Sequence, residues 1–334
     1  MSFGAGVAVG FAMGKKMFES GGSKPEEDWT PPADWPDIPE PSDYEMYFLI
    51  DVSAVPQTFA FVTTEPTTAN SGVGALSIDW GDGSTSEFAD NEWRANGVNG
   101  DCTHEYNTAG KFIVKVSTTK TSCFLQQINP TYANSILLAA KLGNEILLNN
   151  GSSFHTQAAL CNQYYLQYVK FGGKGGLPRQ NAFNGDYSLQ KIDITIPPTI
   201  IPSGTFNYTY SLKKFDFSEV VEIYGYGIYY SGFEKIFMPK CKTVGIWGIN
   251  CNYLLKKVSL PFCMLVKESG LANNHFLKNI SLPNCTNIGV DGMNSDYTLK
   301  AIKVAEGCTF GKNCFVNCYN LKPHPDGTTD YPAL

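Results

Sequence analysis

No Cys-x-x-Cys pair, no His-Glu-x-x-His and no Gly-x-Ser-x-Gly occurs in this chain. The first absence argues against a zinc ribbon, the second against a zincin-type metalloprotease, the third against a hydrolase nucleophile elbow. Histidine is scarce, and His104, His155, His275 and His324 are too scattered to suggest a ligand set. Gly172-Gly173-Lys174-Gly175-Gly176 lacks P-loop spacing and reads as a turn. Asp79 and Asp82 stand beside Gly81 and Gly83, where turn capping is a simpler expectation than calcium ligation. The apolar stretch Phe3–Met13 is too short to span a bilayer, and Lys15 and Lys16 follow it rather than precede it, unlike a secretory leader. The expectation is therefore no catalytic residue, no metal, no cofactor, no nucleic-acid partner and no membrane span. Synthesis in a reducing cytoplasm is expected to leave most of the ten cysteines as free thiols.

What is present points to β-structure. Apolar residues make up 43% of the chain, enough to exclude disorder throughout. Aromatics are abundant, and Gly and Pro are frequent, a mix that suits strands and turns better than helices. The 334 residues suggest two or three domains. Charge is unevenly distributed: 7 Lys/Arg face 18 Asp/Glu over residues 1–136, whereas 18 face 11 over residues 137–322. A basic C-terminal half suits acidic partners, although ordinary solubilising charge gives the same balance.

Four segments follow in order. Residues 1–19 carry Gly6, Gly10 and Gly14 on one face of an expected short helix, a small-residue stripe suited to self-association or attachment to a larger assembly; a frayed terminus is the other reading. Residues 20–45 form an acidic, proline-rich linker, in which Trp29 and Trp35 are expected to dock on a neighbouring domain or chain. Residues 46–121 contain short β-branched and aromatic runs between turn signals, as in a β-sandwich. Residues 122–334 repeat, in about eight units of about 22 residues.

The repeat opens with an apolar residue, usually leucine, at positions 189, 212, 233, 255, 277, 299 and 321, in steps of 21 to 23 residues. Each unit supplies a short strand whose alternate apolar residues point inward. No unit can bury its face alone, so neighbours stack about 4.8 Å apart into one core. Pro239, Pro261 and Pro283 recur at one position, as do Cys241, Cys263 and Cys285; buried packing explains such a cysteine column better than metal or disulfides. Two recognition features stand out. Lys213, Lys256, Lys278, Lys300 and Lys322 each follow the leading leucine and should face outward, as a basic stripe or simply as a solvated strand face. Tyr224, Tyr226, Tyr229 and Tyr230, with Phe206, Tyr208 and Tyr210 one repeat earlier, form an aromatic cluster suited to carbohydrate or protein recognition, unless the rings fill the core.

Three resemblances attach to these residues. Ile78–Ser84, reading IDWGDGS, followed by His104–Val116, resembles the signature of the PKD (polycystic kidney disease) domain, with Asn91–Asp101 as an insertion. It implies an immunoglobulin-like spacer or adhesion module. The repeats, and Phe315-x-x-Cys318-x-x-Leu321 in particular, resemble the BspA-like leucine-rich-repeat family, whose members are surface and adhesive proteins without a catalytic pattern. The order of parts, with Trp29–Pro36 ahead of the WGDG turn, is similar to bacteriophage tail-fibre-like proteins. Together they imply a mainly β, non-enzymatic receptor-binding protein of a virion, made in the host cytoplasm and directed at a host-surface glycan or protein. A bacterial cell-surface adhesin or other interaction module is the alternative.

Overall fold

The computed structural model describes residues 28–64, 75–89, 101–119, 123–128, 136–148, 160–174, 176–178 and 180–327. The helix expected over residues 1–19, with Gly6, Gly10 and Gly14, lies outside them, as do His155 and most of the insertion before Asp101. The described residues are strands, turns and extended chain, with no helix among them.

Two compact units are present, residues 1–35 and 36–334. In the first, the Trp35 amide donates to the Pro32 carbonyl at 3.0 Å. This turn brings the rings of Trp29 and Trp35 edge to face, 5.9 Å apart.

The second unit begins with two sheets. In one, Glu45–Val52 pairs antiparallel with Gly110–Thr118, which pairs with Leu76–Asp79, which pairs with Thr85–Phe88. In the other, Gln57–Thr64 lies between Asp101–Tyr106 and Cys123–Ile128. Aromatic side chains fill the space between: Phe48 of the first sheet meets Phe61 of the second at 5.4 Å, and Phe61 meets Trp80 at 6.2 Å. Trp80 is buried, so its indole N–H needs a partner, and it donates to Ser86 Oγ at 2.9 Å. Tyr106 donates its hydroxyl to the Trp80 carbonyl at 2.8 Å. Asp79 Oδ1 and Asp82 Oδ1 accept from the amides of Gly81 and Ser84, both at 2.9 Å, so each caps the turn.

Both sheets run on into the repeats. The free edge of Glu45–Val52 pairs antiparallel with Leu137–Leu142, which pairs in parallel with Tyr168–Phe171 and then Lys191–Ile194. Ile146–Leu148 adds in parallel to Cys123–Ile128. The strands Glu45–Val52 and Cys123–Ile128 are thus each paired with a strand at the start of the repeats. Glu40 straps the junction, accepting from Lys141 at 2.8 Å and from Lys170 at 2.5 Å.

Beyond this junction the rungs stack in register as parallel strands. One ladder comprises Lys235–Phe237, Lys257–Ser259, Asn279–Ser281 and Ala301–Lys303. A second runs from Ile200–Ile201 through Glu222–Ile223, Thr243–Val244, Leu265–Val266 and Asn287–Ile288 to Thr309–Phe310. Equal spacing makes like positions stack: Ile236, Val258, Ile280 and Ile302 are direct neighbours. The leading residues Leu189, Leu212, Phe233, Leu255, Leu277, Leu299 and Leu321 are all buried. At the far end Pro323 and Pro325 stand where the next strand would run. Proline cannot donate to a ladder, so pairing stops there. His324 is buried between them, with Nε2 3.3 Å from the Cys318 carbonyl oxygen.

Candidate functional site: an aromatic column beside a lysine stripe

One corner of every rung builds the site. Four residues before the leading leucine, the backbone turns left-handed: φ is +61° at Asn162, +57° at Cys251, +61° at Asn273, +62° at Ser295 and +64° at Asn317. Gly185 and Tyr208 share this place, and Tyr230 takes it in the rung that is one residue shorter before Phe233. The turn drives the next residue inward and the one after it outward.

The inward residues form a buried polar ladder. Ser231 and Asn252 donate their amides to Asn252 Oδ1 and Asn274 Oδ1 on the following rungs, at 2.8 and 3.1 Å. The Asn274 amide likewise donates to Asp296 Oδ1 at 2.7 Å, and the Gln163 amide to Asp186 Oδ1 at 2.8 Å. The side-chain amides of Asn252 and Asn274 donate to the carbonyls of Ile228 and Ile249, at 2.9 and 3.0 Å. These bonds satisfy backbone amides that the turn leaves outside the strands.

The outward residues are aromatic on almost every rung: Tyr164, Tyr187, Tyr210, Tyr253, His275, Tyr297 and Tyr319. Tyr164 stacks on Tyr187 at 5.2 Å, and Tyr187 meets Tyr210 at 5.7 Å. Where the shorter rung offers Ser231 and Gly232, Tyr208 and Tyr230 bridge the gap, stacked at 5.4 Å. Tyr253, His275, Tyr297 and Tyr319 then stack at 4.8, 4.4 and 5.9 Å. Burial raises the phenol pKa of Tyr210, Tyr230 and Tyr253 and lowers that of the His275 imidazole, so these rings are uncharged at neutral pH.

Of the tyrosines singled out from sequence, Tyr208, Tyr210 and Tyr230 lie in this column, while Phe206 is buried in the core. Tyr229 packs edge-on against Tyr230 at 4.6 Å, and Tyr226 stacks on Trp247 at 5.8 Å. Tyr224 and Tyr226 are exposed, whereas Tyr229 and Tyr230 are half-buried. The longer column escaped notice in the sequence, although its 22-residue spacing through Tyr253, His275, Tyr297 and Tyr319 was there to be found.

The lysines divide into two groups. Lys256, Lys278, Lys300 and Lys322 are exposed, and the amides of Lys256, Lys278 and Lys300 each bond to the rung before, at 2.8, 3.2 and 2.9 Å. Lys213 is half-buried and donates Nζ to the Gly232 carbonyl at 3.2 Å. Glu234 occupies the rung between Lys213 and Lys256 and pairs with Lys256 at 2.6 Å. That ammonium holds the Glu234 carboxyl below its ordinary range.

The cysteine column is interior. Cys241, Cys263 and Cys285 are fully buried. Burial pushes the Cys241 thiol up to about 12, and Cys263, hydrogen-bonded to the Cys285 thiol and buried, is raised as well. Cys102, Cys161, Cys241, Cys251, Cys263, Cys285, Cys308, Cys314 and Cys318 are free thiols. Titration with a thiol reagent is expected to modify few groups in the native protein, the half-exposed Cys308 foremost, and all ten after denaturation. Groups that stay unreactive in denaturant without reductant would instead indicate disulfides. Among the described residues, no group of three His, Cys, Asp or Glu side chains is placed to hold a metal ion, and no helix is long and apolar enough to cross a membrane.

Parallel rungs of 21 to 23 residues, each closed by an inward leucine or, at Phe233, phenylalanine, define a leucine-rich-repeat solenoid. Residues 147–251 and 249–322 match the family model of the BspA type leucine-rich repeat region, in six copies. The match spans more than half of the chain, which belongs to the BspA-type leucine-rich-repeat family. Similar solved structures include a leucine-rich repeat protein from Bacteroides ovatus, 16% identical with a TM-score of 0.46 over 60% of this chain and 54% of that one. A leucine-rich repeat protein from T. pallidum is 16% identical, with a TM-score of 0.40 over 61% of this chain and 84% of that one. This chain thus spans about half the length of the B. ovatus protein. No curated protein matches it.

Proposed function

We propose that the chain is a non-enzymatic adhesion protein, carried on a virion as a tail-fibre-type part, that presents its solenoid to a receptor on the bacterial host. The observation that carries this reading is the outward face of the last repeats, where Lys256, Lys278, Lys300 and Lys322 run beside stacked aromatic rings. Asp296, buried behind these repeats, is a rung of the polar ladder, as Asp186 is in an earlier repeat. The order of parts supports the virion setting: a glycine-striped start, the Trp29–Pro36 linker, a two-sheet module, then repeats. We read the two-sheet module as an immunoglobulin-like spacer of the PKD type, on the strength of its WGDG turn and the Tyr106 bond to Trp80.

Purified full-length chain, added to host cells before infecting particles, is expected to occupy receptors and lower particle adsorption. Adsorption that is indifferent to saturating chain would contradict a receptor-binding role. A bacterial surface adhesin is the second reading, favoured by the resemblance of the repeats to surface proteins; recovering the chain from cell envelopes free of particles would select it. The glycine stripe supplies the attachment in either case. Gly10→Leu is expected to abolish self-association or incorporation, and removing residues 1–20 without effect on either would reject that role.

A further inference from the structure

We infer that the aromatic column and the lysine stripe of the last four repeats form a single track that binds a linear uronic-acid polysaccharide lengthwise. The inference rests on the adhesion reading above and names the class of ligand. Each aromatic side chain precedes a lysine by three residues, as in Tyr253 and Lys256, His275 and Lys278, or Tyr297 and Lys300. The leucine between them points into the core, so the two columns flank it on the outside, side by side over successive rungs.

The stacking determines what this track can hold. The rings lie face to face at 4.4 to 5.9 Å, so their faces are occupied by one another and their edges face outward. Ring edges carry the positive side of the quadrupole. The Tyr297 hydroxyl has no hydrogen-bond partner among the described residues and is free to donate outward. A neutral sugar that binds by laying its ring on an aromatic face finds those of His275 and Tyr297 covered on both sides. An anionic one meets outward edges, the Tyr297 hydroxyl and ammonium groups together, while the Tyr253 and Tyr319 hydroxyls donate within the protein. Lys278 and Lys300 form no ion pair among the described residues, and Glu234, at the border of the stripe, is already committed to Lys256. Positive charge recurs with each rung, about every 4.8 Å. A polymer carrying one carboxylate per sugar can therefore meet successive lysines, and its contacts should accumulate with chain length.

The probes are fluorescent oligogalacturonates from dimer to hexamer, titrated into the full-length chain and followed by anisotropy. Affinity is expected to climb with length across the dimer-to-hexamer series, as each added carboxylate extends the contact along the track. Lys278→Glu with Lys300→Glu should weaken hexamer binding about tenfold or more, since removal of two such contacts exceeds about 1.4 kcal/mol. Tyr297→Ala should weaken it too. Tyr187→Ala, in the same column but followed by Gln190 rather than lysine, should not. Circular dichroism melts confirm that the variants fold. Equal binding of methyl-esterified oligomers, equal binding of polyglutamate, or affinity independent of length overturns the inference. Blocked particle adsorption without oligogalacturonate binding overturns it alone and leaves the adhesion reading standing.

Discussion

Phe206→Ala is expected to lower stability by about 3–5 kcal/mol, the range for truncating a fully buried aromatic ring. The Phe206 ring touches Phe183 at 6.0 Å, Phe215 at 4.8 Å, Phe217 at 6.1 Å and Phe233 at 5.6 Å. It thus ties its own rung to those before and after it. In a solenoid each rung contacts only its neighbours, so the cavity cannot be shared across a globular core. Denaturant melts should show the loss directly, and the transition should split if the rungs on either side come apart. A loss below about 1 kcal/mol would mean that the rungs around Phe206 do not pack as described.

Asp296→Asn is expected to do the opposite and raise stability at neutral pH by about 1–3 kcal/mol, the cost of a buried polar group left unpaired. Asp296 stands where the two preceding rungs carry Asn274 and Asn252. Its Oδ1 accepts an amide as theirs do, but its Oδ2 has no partner, whereas their side-chain amides donate to carbonyls. Burial holds its carboxyl well above the ordinary carboxylate range, and Asp186 is in the same position. The sign follows from linkage. The folded state retains a proton that the unfolded chain releases above about pH 3.9, so stability falls as pH rises from there through the raised folded value. Wild type and Asp296→Asn should therefore differ least in acid and diverge toward neutral pH. Melts at several pH values check this, and parallel curves would show that the carboxyl is not strained.

Much of this fold could be read from the residues. The leading leucines recur at steps of 21 to 23, and stacking them requires a solenoid; all of them are buried where that argument puts them. The strand alternation holds as well: Lys257 is exposed and Val258 buried. Three features were not readable. The pairing of Glu45–Val52 with Leu137–Leu142 joins strands far apart in the chain, and nothing local encodes it. The ladder of Asn252, Asn274 and Asp296 mixes residue types usually found in turns, so its members look like loop residues until the rungs are stacked. The lysine column was visible, with Glu234 at the equivalent place between Lys213 and Lys256, but the pairing of Glu234 with Lys256 was not.

Binding of the full-length chain to host cells across a salt series, for wild type and for the combined Lys256→Glu, Lys278→Glu and Lys300→Glu variant, tests the recognition surface most directly. These side chains are exposed, so the fold should survive their reversal. Exposed charges are screened beyond about 8 Å at physiological ionic strength, so wild-type binding should weaken as salt rises. The variant should bind poorly even at low salt. Binding that ignores both salt and the three substitutions would contradict the account and move the receptor site to the exposed tyrosines Tyr224 and Tyr226.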